Sequence, residues 1–186
     1  MKRTFDVAIL ILATIVFFIP FILTALLVKM TSKGPILYWS DRIGHNNEIF
    51  RMPKFRSMKI DTPAVATHLL QNPDTFLTPI GNFIRKTSLD ELPQLWCIWK
   101  NQMSIVGPRP ALFNQYDLIE LRAQRNVHTL LPGITGWAQV NGRDELSIAD
   151  KVAFDEEYLR KMNLWFDIKI ILITFLKVIK KDGVKH

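Results

Sequence analysis

The longest apolar run of the chain lies near its start. From Val7 to Val28 about 22 residues carry no charge, which at about 1.5 Å per residue is enough to cross the hydrocarbon core of a bilayer. The run is longer than the apolar part of a secretory signal, and no small-x-small cleavage site follows it. The pattern therefore predicts a membrane helix over residues 1–30, followed by a catalytic-sized unit over residues 31–186.

Two features bear on how this helix sits in the bilayer. Lys2 and Arg3 precede the run and Lys29 follows it, so the positive flanks give no orientation. Pro20 lies past the middle, where it removes one backbone hydrogen bond and favours a bend. Proline is also tolerated in helices that span. On the residues alone, a spanning helix and a re-entrant helix bent at Pro20 are both open.

A second membrane-active segment is predicted near the other end of the chain. Residues 164–181 have helical periodicity, with Asp167 and Thr174 among the polar residues of one face and large apolar side chains over much of the remainder. Such a basic amphipathic helix lies in the membrane interface. Burial against the protein core, with Lys169 and Lys180 reaching outward, is the alternative.

Between these ends the pattern predicts an α/β unit that is mostly helical with a small β element. Two strand-rich stretches, residues 36–39 and 48–58, flank a turn at residues 44–47 and predict a hairpin or small sheet. Further elements are predicted by periodicity and capping residues: helices from Thr78 to Arg85 and over 92–100, 111–127 and 147–162, and a strand over 103–106.

Charge and cysteine content limit the classes of partner and of metal or disulfide site that the chain can have. The net charge of +7 admits nucleic acid, anionic lipid or phosphorylated substrates. Bases outnumber acids between Lys33 and Arg109, which places the positive field in one part of the fold. The single cysteine, Cys97, excludes an internal disulfide, and the four histidines lack zinc-ligand spacing.

An acidic pair, Asp90 and Glu91, interrupts this basic region. Ser88 and Glu91 fit a helix capping box, in which acids also favour the positive end of the helix dipole. Pro93 would then fall inside the capped helix, where its ring and missing N–H disturb the first turn. A plain cap is therefore disfavoured, and the pair beside cations is typical of chemistry on a phosphate.

Four cations are candidates for binding that phosphate. Arg109 is held between two prolines and presents a planar fork at low entropic cost, although a surface salt bridge is the alternative. Lys54 and Arg56 alternate along a predicted strand and would share one face. Arg85 precedes the acidic pair by a few residues. Together they are suited to neutralising a diphosphate.

Carboxylates beside a diphosphate favour a divalent cation, because its charge cancels their repulsion. Mg²⁺ is a hard cation that prefers carboxylate and phosphate oxygens. One carboxylate of the pair can then attack phosphorus to form an acyl phosphate, while the other binds metal or handles a proton. The residues alone do not decide which of Asp90 and Glu91 takes which role.

Four blocks occur in the order found in the bacterial sugar transferases, and the chain resembles a small monotopic phosphoglycosyl transferase of that family. The similarity runs from Lys2 to the C-terminal helix, and four ordered blocks are far more specific than one motif. The blocks are Lys54-Phe55-Arg56-Ser57-Met58, Ser88-Leu89-Asp90-Glu91-Leu92-Pro93-Gln94, Gly107-Pro108-Arg109-Pro110 and Pro132-Gly133-Ile134-Thr135-Gly136-Trp137-Ala138-Gln139-Val140-Asn141-Gly142-Arg143.

The resemblance implies transfer of a sugar-1-phosphate from a UDP-sugar to undecaprenyl phosphate, with release of UMP. It implies that Asp90 is the nucleophile of a covalent phosphosugar intermediate and that Glu91 is its partner. Mg²⁺ would be bound by Asp90 and the diphosphate. The implied substrate-binding residues are Lys54, Arg56, Arg85, Gln94 and Arg109.

The resemblance also implies a location and partners. The family's re-entrant helix keeps the catalytic domain on the cytoplasmic face of the bacterial inner membrane, among its lipids, where downstream glycosyltransferases extend the product into a polysaccharide or glycoconjugate. Nucleic acid is not among the implied partners. Ile19 stands before Pro20 where the family commonly has serine. Larger relatives carry extra N-terminal membrane helices, so this chain is expected to be a minimal catalytic unit.

A non-enzymatic membrane adaptor, binding anionic lipid or nucleic acid through its cations, is the rival interpretation. It accounts for the basic patch and for both membrane-active helices. It explains neither the acidic pair nor the arginine between prolines. A CDP-alcohol phosphotransferase would need several membrane spans and a multi-aspartate motif that this sequence lacks.

Overall fold

The computed structural model describes residues 1–63, 72–142 and 145–180. The helices are α1 (Lys2–Thr31), α2 (Gly81–Lys86), α3 (Leu95–Trp99), α4 (Tyr116–Gln124), α5 (Trp137–Val140), α6 (Ile148–Lys161) and α7 (Leu164–Lys180). The strands are β1 (Leu37–Ile43), β2 (Ile49–Phe55), β3 (Ser104–Val106) and β4 (Gly133–Thr135). Short 3-10 helices cover His45–Asn47, Pro73–Phe76, Leu89–Gln94 and Val127–Thr129. The prediction of a mostly helical chain with a small β element is confirmed.

Strands β1 and β2 form the predicted antiparallel hairpin. Its register runs from Leu37 opposite Phe55 to Ile43 opposite Ile49. In the turn, Asn46 and Asn47 have φ angles of 52° and 63°, and asparagine is one of the few residues that tolerate this left-handed backbone. The hairpin fixes the direction in which its charged side chains point, because cross-strand partners share a face.

The second sheet pairs β3 with β4 in parallel, with Ser104 opposite Gly133 and Val106 opposite Thr135. A Cβ at Gly133 would lie 2.1 Å from the backbone nitrogen of Gly107. Only glycine allows the two segments to approach so closely. The predicted strand over 103–106 is confirmed, and its end leads into the Gly107-Pro108-Arg109-Pro110 loop, which is irregular as expected.

Helix α1 is continuous and contains Pro20. In the described part of the chain it is the one helix long and apolar enough to cross a membrane. Its central side chains are exposed: Ile11, Leu12, Ile15, Val16, Phe17, Phe18, Ile19, Ile22 and Leu23. The predicted long apolar helix is thus present, ending one residue beyond the expected boundary. Its position in a membrane and the bend at Pro20 stay predictions.

Both ends of α1 pack against the rest of the fold. In its first turns, Asp6 accepts hydrogen bonds from the hydroxyl of Ser104 (2.8 Å) and the amide of Ile105 (3.2 Å) in β3. In its last turns, Val28 is fully buried in a cluster with Phe55 and Ile84. The exposed apolar middle of the helix therefore lies between two docked ends.

Helix α7 turns its polar face inward. Asp167 is 2% exposed and accepts hydrogen bonds from Tyr158 (2.7 Å) and Lys2 (2.8 Å). The hydroxyl of Thr174 lies 2.6 Å from that of Thr135. The outward face is apolar, with Leu164, Trp165, Leu172, Phe175, Leu176 and Val178 exposed. The predicted helix and its shared polar face are present; Lys181 lies outside the described residues, and the interfacial position stays a prediction.

Three predicted helices are shorter than expected. Helix α2 begins at Gly81, because the hydroxyl of Thr78 donates to the carbonyl of Ser57 (3.2 Å) and does not cap a helix. Helix α4 covers only the middle of the predicted stretch, and the predicted helix over 92–100 begins as a 3-10 helix. The helix predicted from Ser147 is confirmed, with Ser147 accepting a capping bond from the amide of Asp150.

Candidate active site

The acidic pair lies in the 3-10 helix over Leu89–Gln94. Ser88 has a φ angle of 56° and its side chain makes no capping hydrogen bond. Pro93 has no N–H to donate and disfavours a regular α-helix at this point, and the segment is a short 3-10 helix instead. The capping-box interpretation is therefore wrong, as the position of Pro93 indicated.

Glu91 joins two of the predicted cations. The same carboxylate oxygen, Oε1, lies 2.8 Å from Nζ of Lys54 and 3.0 Å from Nη2 of Arg109. Strand β2 supplies the lysine, and the loop after β3 supplies the arginine. Three blocks that are far apart in the sequence therefore meet at one carboxylate, as the sequence analysis predicts.

Asp90 is 8% exposed, and burial raises its pKa to about 6. The positive charge of Lys54 opposes this shift, and the negative charge of Glu91 adds to it. Arg85 and Arg109 also lower the pKa of Asp90. At neutral pH the Asp90 carboxylate is ionised. Because it is buried, few water molecules have to leave it before it reacts. These properties suit a nucleophile or a metal ligand.

Lys54 is held beside this pair with only part of its side chain in solvent. Burial lowers the pKa of Lys54, while Glu91 and Asp90 favour its charged form. The charged form that these carboxylates favour is the one that binds an anionic substrate, and a buried lysine has fewer water molecules to displace when it does so.

Arg42 is a member of the cluster that the sequence analysis missed. It donates from Nε to the hydroxyl of Ser40 (3.0 Å) and from Nη1 to the carbonyl of Pro110 (3.2 Å). Burial and the nearby charge of Arg109 lower the pKa of Arg42 to about 10, against an opposing effect of Glu91. The alternation along β1, matched against the face of Lys54 on β2, is the signal that places it there.

Arg56 lies in a different environment. It is 5% exposed, and its guanidinium donates to the carbonyl and hydroxyl of Ser32 and to the carbonyl of Lys33, at the end of α1. It follows the last residue of β2, and these bonds aim it at the helix end. The shared face with Lys54 does not bring it to Glu91, and its substrate-binding role stays a prediction.

Gln94 is 2% exposed, and its Nε2 has no hydrogen-bond partner among the described residues. It lies one turn after Asp90 in the same helical segment. A buried amide donor without a protein partner costs free energy, and this donor is available to a substrate oxygen, in line with the predicted substrate-binding role of Gln94. Arg143, the end of the last sequence block, lies outside the described residues.

A metal would need help from the substrate to bind here. Within residues 1–63, 72–142 and 145–180, no group of three or more histidine, cysteine, aspartate or glutamate residues could hold a metal. Mg²⁺ is commonly held by one or two carboxylates together with substrate phosphates. Asp90 therefore fits such an ion only when phosphate oxygens complete its coordination.

The chain combines an α/β domain, a helix long and apolar enough to cross a membrane, and a buried carboxylate among cations. Sequence comparison shows which family shares this combination. The family model for bacterial sugar transferases matches residues 1–181. This chain belongs to the bacterial sugar transferase family.

Three relatives illustrate the similarity. The UDP-glucose:undecaprenyl-phosphate glucose-1-phosphate transferase of Escherichia coli is 47% identical over 82% of this chain and 34% of its own length. The undecaprenyl-phosphate glucose phosphotransferase of Komagataeibacter xylinus is 39% identical over 96% of this chain and 36% of its own. The exopolysaccharide production protein ExoY of Sinorhizobium fredii is 39% identical over 98% of this chain and 87% of its own. The chain thus spans about a third of the first two relatives and most of the third.

Proposed function

We propose that this chain transfers a sugar-1-phosphate from a UDP-sugar to undecaprenyl phosphate, releasing UMP and starting assembly of a polysaccharide or glycoconjugate. The observation that carries the proposal is Asp90, buried beside Glu91 with Lys54 and Arg109 fixed to that neighbour. The names of the E. coli and K. xylinus relatives give the reaction class.

In the proposed first step, a carboxylate oxygen of Asp90 attacks the phosphorus that carries the sugar. The bond from that phosphorus to the oxygen bridging the two phosphates breaks, and UMP leaves with the electron pair. In the second step, an oxygen of undecaprenyl phosphate attacks the same phosphorus and releases the Asp90 carboxylate. Splitting the transfer in this way replaces one difficult step by two easier ones.

Glu91 and the surrounding cations arrange the charges around Asp90 before substrate binds. Lys54, Arg85 and Arg109 offset the negative charge of the diphosphate, which otherwise repels the Asp90 carboxylate. Glu91 holds Lys54 and Arg109 in place before substrate arrives. When bound, Mg²⁺ would be held by Asp90 together with the diphosphate and would supply further charge neutralisation.

The docked ends of α1 support a re-entrant membrane helix. A straight helix of this length measures about 45 Å, more than the thickness of the hydrocarbon core. Asp6 at one end and Val28 at the other both pack on the same catalytic domain. A helix that crosses would separate these ends by the bilayer, so we place both on the cytoplasmic face of the inner membrane, with the bend at Pro20.

The experiment that tests the function is UMP release by the purified full chain with Mg²⁺, from a panel of UDP-sugars, with and without undecaprenyl phosphate. Release that depends on the lipid acceptor is the expected result and also identifies the sugar. Release that ignores the acceptor, or its absence from a broad panel with folded protein, would contradict the proposal.

We expect kcat/KM to rise about tenfold per pH unit below about pH 6 and to level off above it. The reason is that Asp90 must be ionised to attack, and burial raises its pKa to about 6. At alkaline pH the rate should fall again, because burial lowers the pKa of Lys54 and its charge is lost earlier than usual. Initial rates between pH 4.5 and 10 measure both limbs, and a flat profile down to pH 4.5 would argue against this role of Asp90.

We expect the outward face of α7 to lie among lipid acyl chains. Trp165 is 80% exposed on that face, and Cys97 is fully buried, so a cysteine placed at 165 can be labelled selectively. In nanodiscs, a fluorophore on Trp165→Cys should be quenched by lipids carrying nitroxide on their acyl chains. Tyr116→Cys, at a 72% exposed position on α4, is the matched control. Equal quenching at the two positions would contradict the interfacial position of α7.

A further inference from the structure

The loop that carries Arg109 is held through its carbonyl groups. Pro108 and Pro110 have no N–H, so this segment has few amides with which to anchor itself. Four consecutive carbonyls accept hydrogen bonds instead: Pro108 from the amide of Gly133 (2.9 Å), Arg109 from Nη1 of Arg122 (2.8 Å), Pro110 from Nη1 of Arg42 (3.2 Å) and Ala111 from the amide of Ile43 (2.9 Å). The backbone beneath the Arg109 side chain is therefore fixed from several sides.

The two arginines that hold this loop differ in their electrostatic surroundings. Arg122 is paired with the buried carboxylate of Asp155, at 2.6 and 3.0 Å, so its charge is compensated. None of the salt bridges among the described residues involves Arg42. Its partners are a hydroxyl and a carbonyl, which are neutral. Arg42 thus has no ion-pair partner among the described residues, whereas the charge of Arg122 is compensated by Asp155.

The donors of Arg42 are also not all used. Nε and Nη1 donate to Ser40 and Pro110, and no described residue accepts a hydrogen bond from Nη2. Arginine has a rigid planar fork, so fixing two of its nitrogens also fixes the direction of the third. The remaining donor therefore points in a fixed direction, towards an acceptor that no described residue supplies.

The local charge balance shows what kind of acceptor fits. Asp90 is under the influence of Lys54, Arg85 and Arg109, and Arg42 is under the influence of Arg109 and Glu91. Among the described residues these four cations outnumber the two carboxylates, which favours an anionic acceptor such as a diphosphate. Like charges held this close repel each other, and a bound dianion would relieve the repulsion.

We propose that Arg42 is a further phosphate-binding residue of this site, using Nη1 to hold the carbonyl of Pro110 and Nη2 to bind an oxygen of the diphosphate. The identity of that diphosphate as a UDP-sugar rests on the proposed function. The binding of a diphosphate anion by Arg42 does not, because it follows from the arrangement of donors and charges. This distinction allows the two proposals to be tested separately.

The first test measures binding of inorganic pyrophosphate to the full chain by calorimetry, without any sugar nucleotide. A charged hydrogen bond of about 1.5–3 kcal/mol corresponds to about ten- to a hundredfold in affinity, and we expect Arg42→Gln to lose that much. Arg42→Lys keeps the charge but loses the rigid planar fork, so its single nitrogen cannot donate to the carbonyl of Pro110 and to a phosphate in the two directions that Nη1 and Nη2 provide. It should therefore also lose affinity, by a smaller factor.

The matched control is Arg51→Gln, which removes the same charge from the same hairpin. Arg51 is exposed and lies 5.5 Å from the ring of Trp39, and it pairs across the hairpin with Asp41 on the face that does not carry Lys54. Its pyrophosphate affinity should equal that of the wild type. Circular dichroism identifies variants that fail to fold, and if Arg42→Gln is among them, the folded Arg42→Lys variant decides the question.

Pyrophosphate affinity equal to wild type in Arg42→Lys, or in a folded Arg42→Gln, overturns the proposal. Kinetics with the best UDP-sugar add a second readout, in which Arg42→Lys should raise KM more than it lowers kcat. If the Arg42 variants lose pyrophosphate affinity but the wild type releases no UMP from any donor, the result supports the anion site and contradicts the proposed function. Normal UMP release with unchanged KM in both Arg42 variants would contradict the role of Arg42 and leave the proposed function supported.

Discussion

Replacing Asp90 by asparagine is expected to lower acceptor-dependent UMP release by at least about a thousandfold, because the amide cannot form the acyl phosphate. Asparagine has nearly the same shape, so packing in the 3-10 helix should be retained. The measurement is single-turnover and steady-state UMP release with the full chain. Asp41→Asn, which removes an exposed carboxylate from β1, is the control and should keep wild-type activity.

The same substitution has an expected effect on stability that separates chemistry from folding. The pKa of Asp90 is about 6 in the folded chain against an ordinary value of 3.8, so the unfolded chain ionises first as pH rises. The wild type therefore loses stability between about pH 4 and pH 6, by up to about 3 kcal/mol, and Asp90→Asn does not. Chemical unfolding at pH 4 and pH 8 should show the variant equal at the lower pH and more stable at the higher.

These two results together test the nucleophile assignment. An Asp90→Asn variant that is stable, binds substrate and releases no UMP is the expected outcome. A phosphosugar adduct found on residue 90 of the wild type by mass spectrometry would support the same step directly. Near-normal turnover in the variant would mean that another group attacks phosphorus.

Replacing Asp155 by alanine is expected to destabilise the fold by about 3–5 kcal/mol, because it leaves the charge of Arg122 without a partner in a buried place. Asp155 is 1% exposed and accepts two hydrogen bonds from Arg122. Such a loss is a large fraction of the stability of a typical domain. Activity should fall at temperatures where the variant is still folded, since Arg122 also holds the carbonyl of Arg109. Urea unfolding and UMP release on the same samples measure both effects.

Glu156 offers a control on the same helix. It pairs with Arg125 at 3.0 Å and with Arg160 at 2.7 Å, and both arginines are more than half exposed. Exposed ion pairs contribute up to about 1 kcal/mol, so Glu156→Ala should change stability little and leave turnover intact. If Asp155→Ala and Glu156→Ala lower the free energy of unfolding equally, the buried pair does not stabilise the fold more than the exposed pairs do.

The central part of the site was predictable from sequence because its residue types are rare in combination. An acidic pair next to a proline, a lysine in a strand pattern and an arginine between prolines each carry a strong local signal, and Lys54, Glu91 and Arg109 do meet. The hairpin was predictable for the same reason, since alternation and an asparagine-rich turn define it. Patterns within one strand or turn are retained in the folded protein because backbone geometry fixes which side chains share a face.

The loop contacts of Arg42 and Arg122 and the orientation of α7 were not predictable by the same reasoning. Alternation along β1 puts Arg42 on the face of Lys54, but the bonds of Arg42 and Arg122 to backbone carbonyls of a distant loop are not revealed by the spacing of residues. An amphipathic pattern shows that a helix has two faces, yet it does not say which face meets protein and which meets lipid. Asp167 resolves the question only through Lys2 and Tyr158, which the fold brings to it.

The bonds at the start of α1 have a consequence for biosynthesis. Asp6 leaves the ribosome 98 residues before Ser104, and Lys2 leaves it 165 residues before Asp167. At about 5–20 residues per second, the second interval lasts about ten to thirty seconds. Helix α1 is therefore complete before Ser104 is synthesised and long before Asp167 is. In the nascent chain Asp6 and Lys2 must stay hydrated until these partners are made, and translation of the last helix completes the attachment of the first.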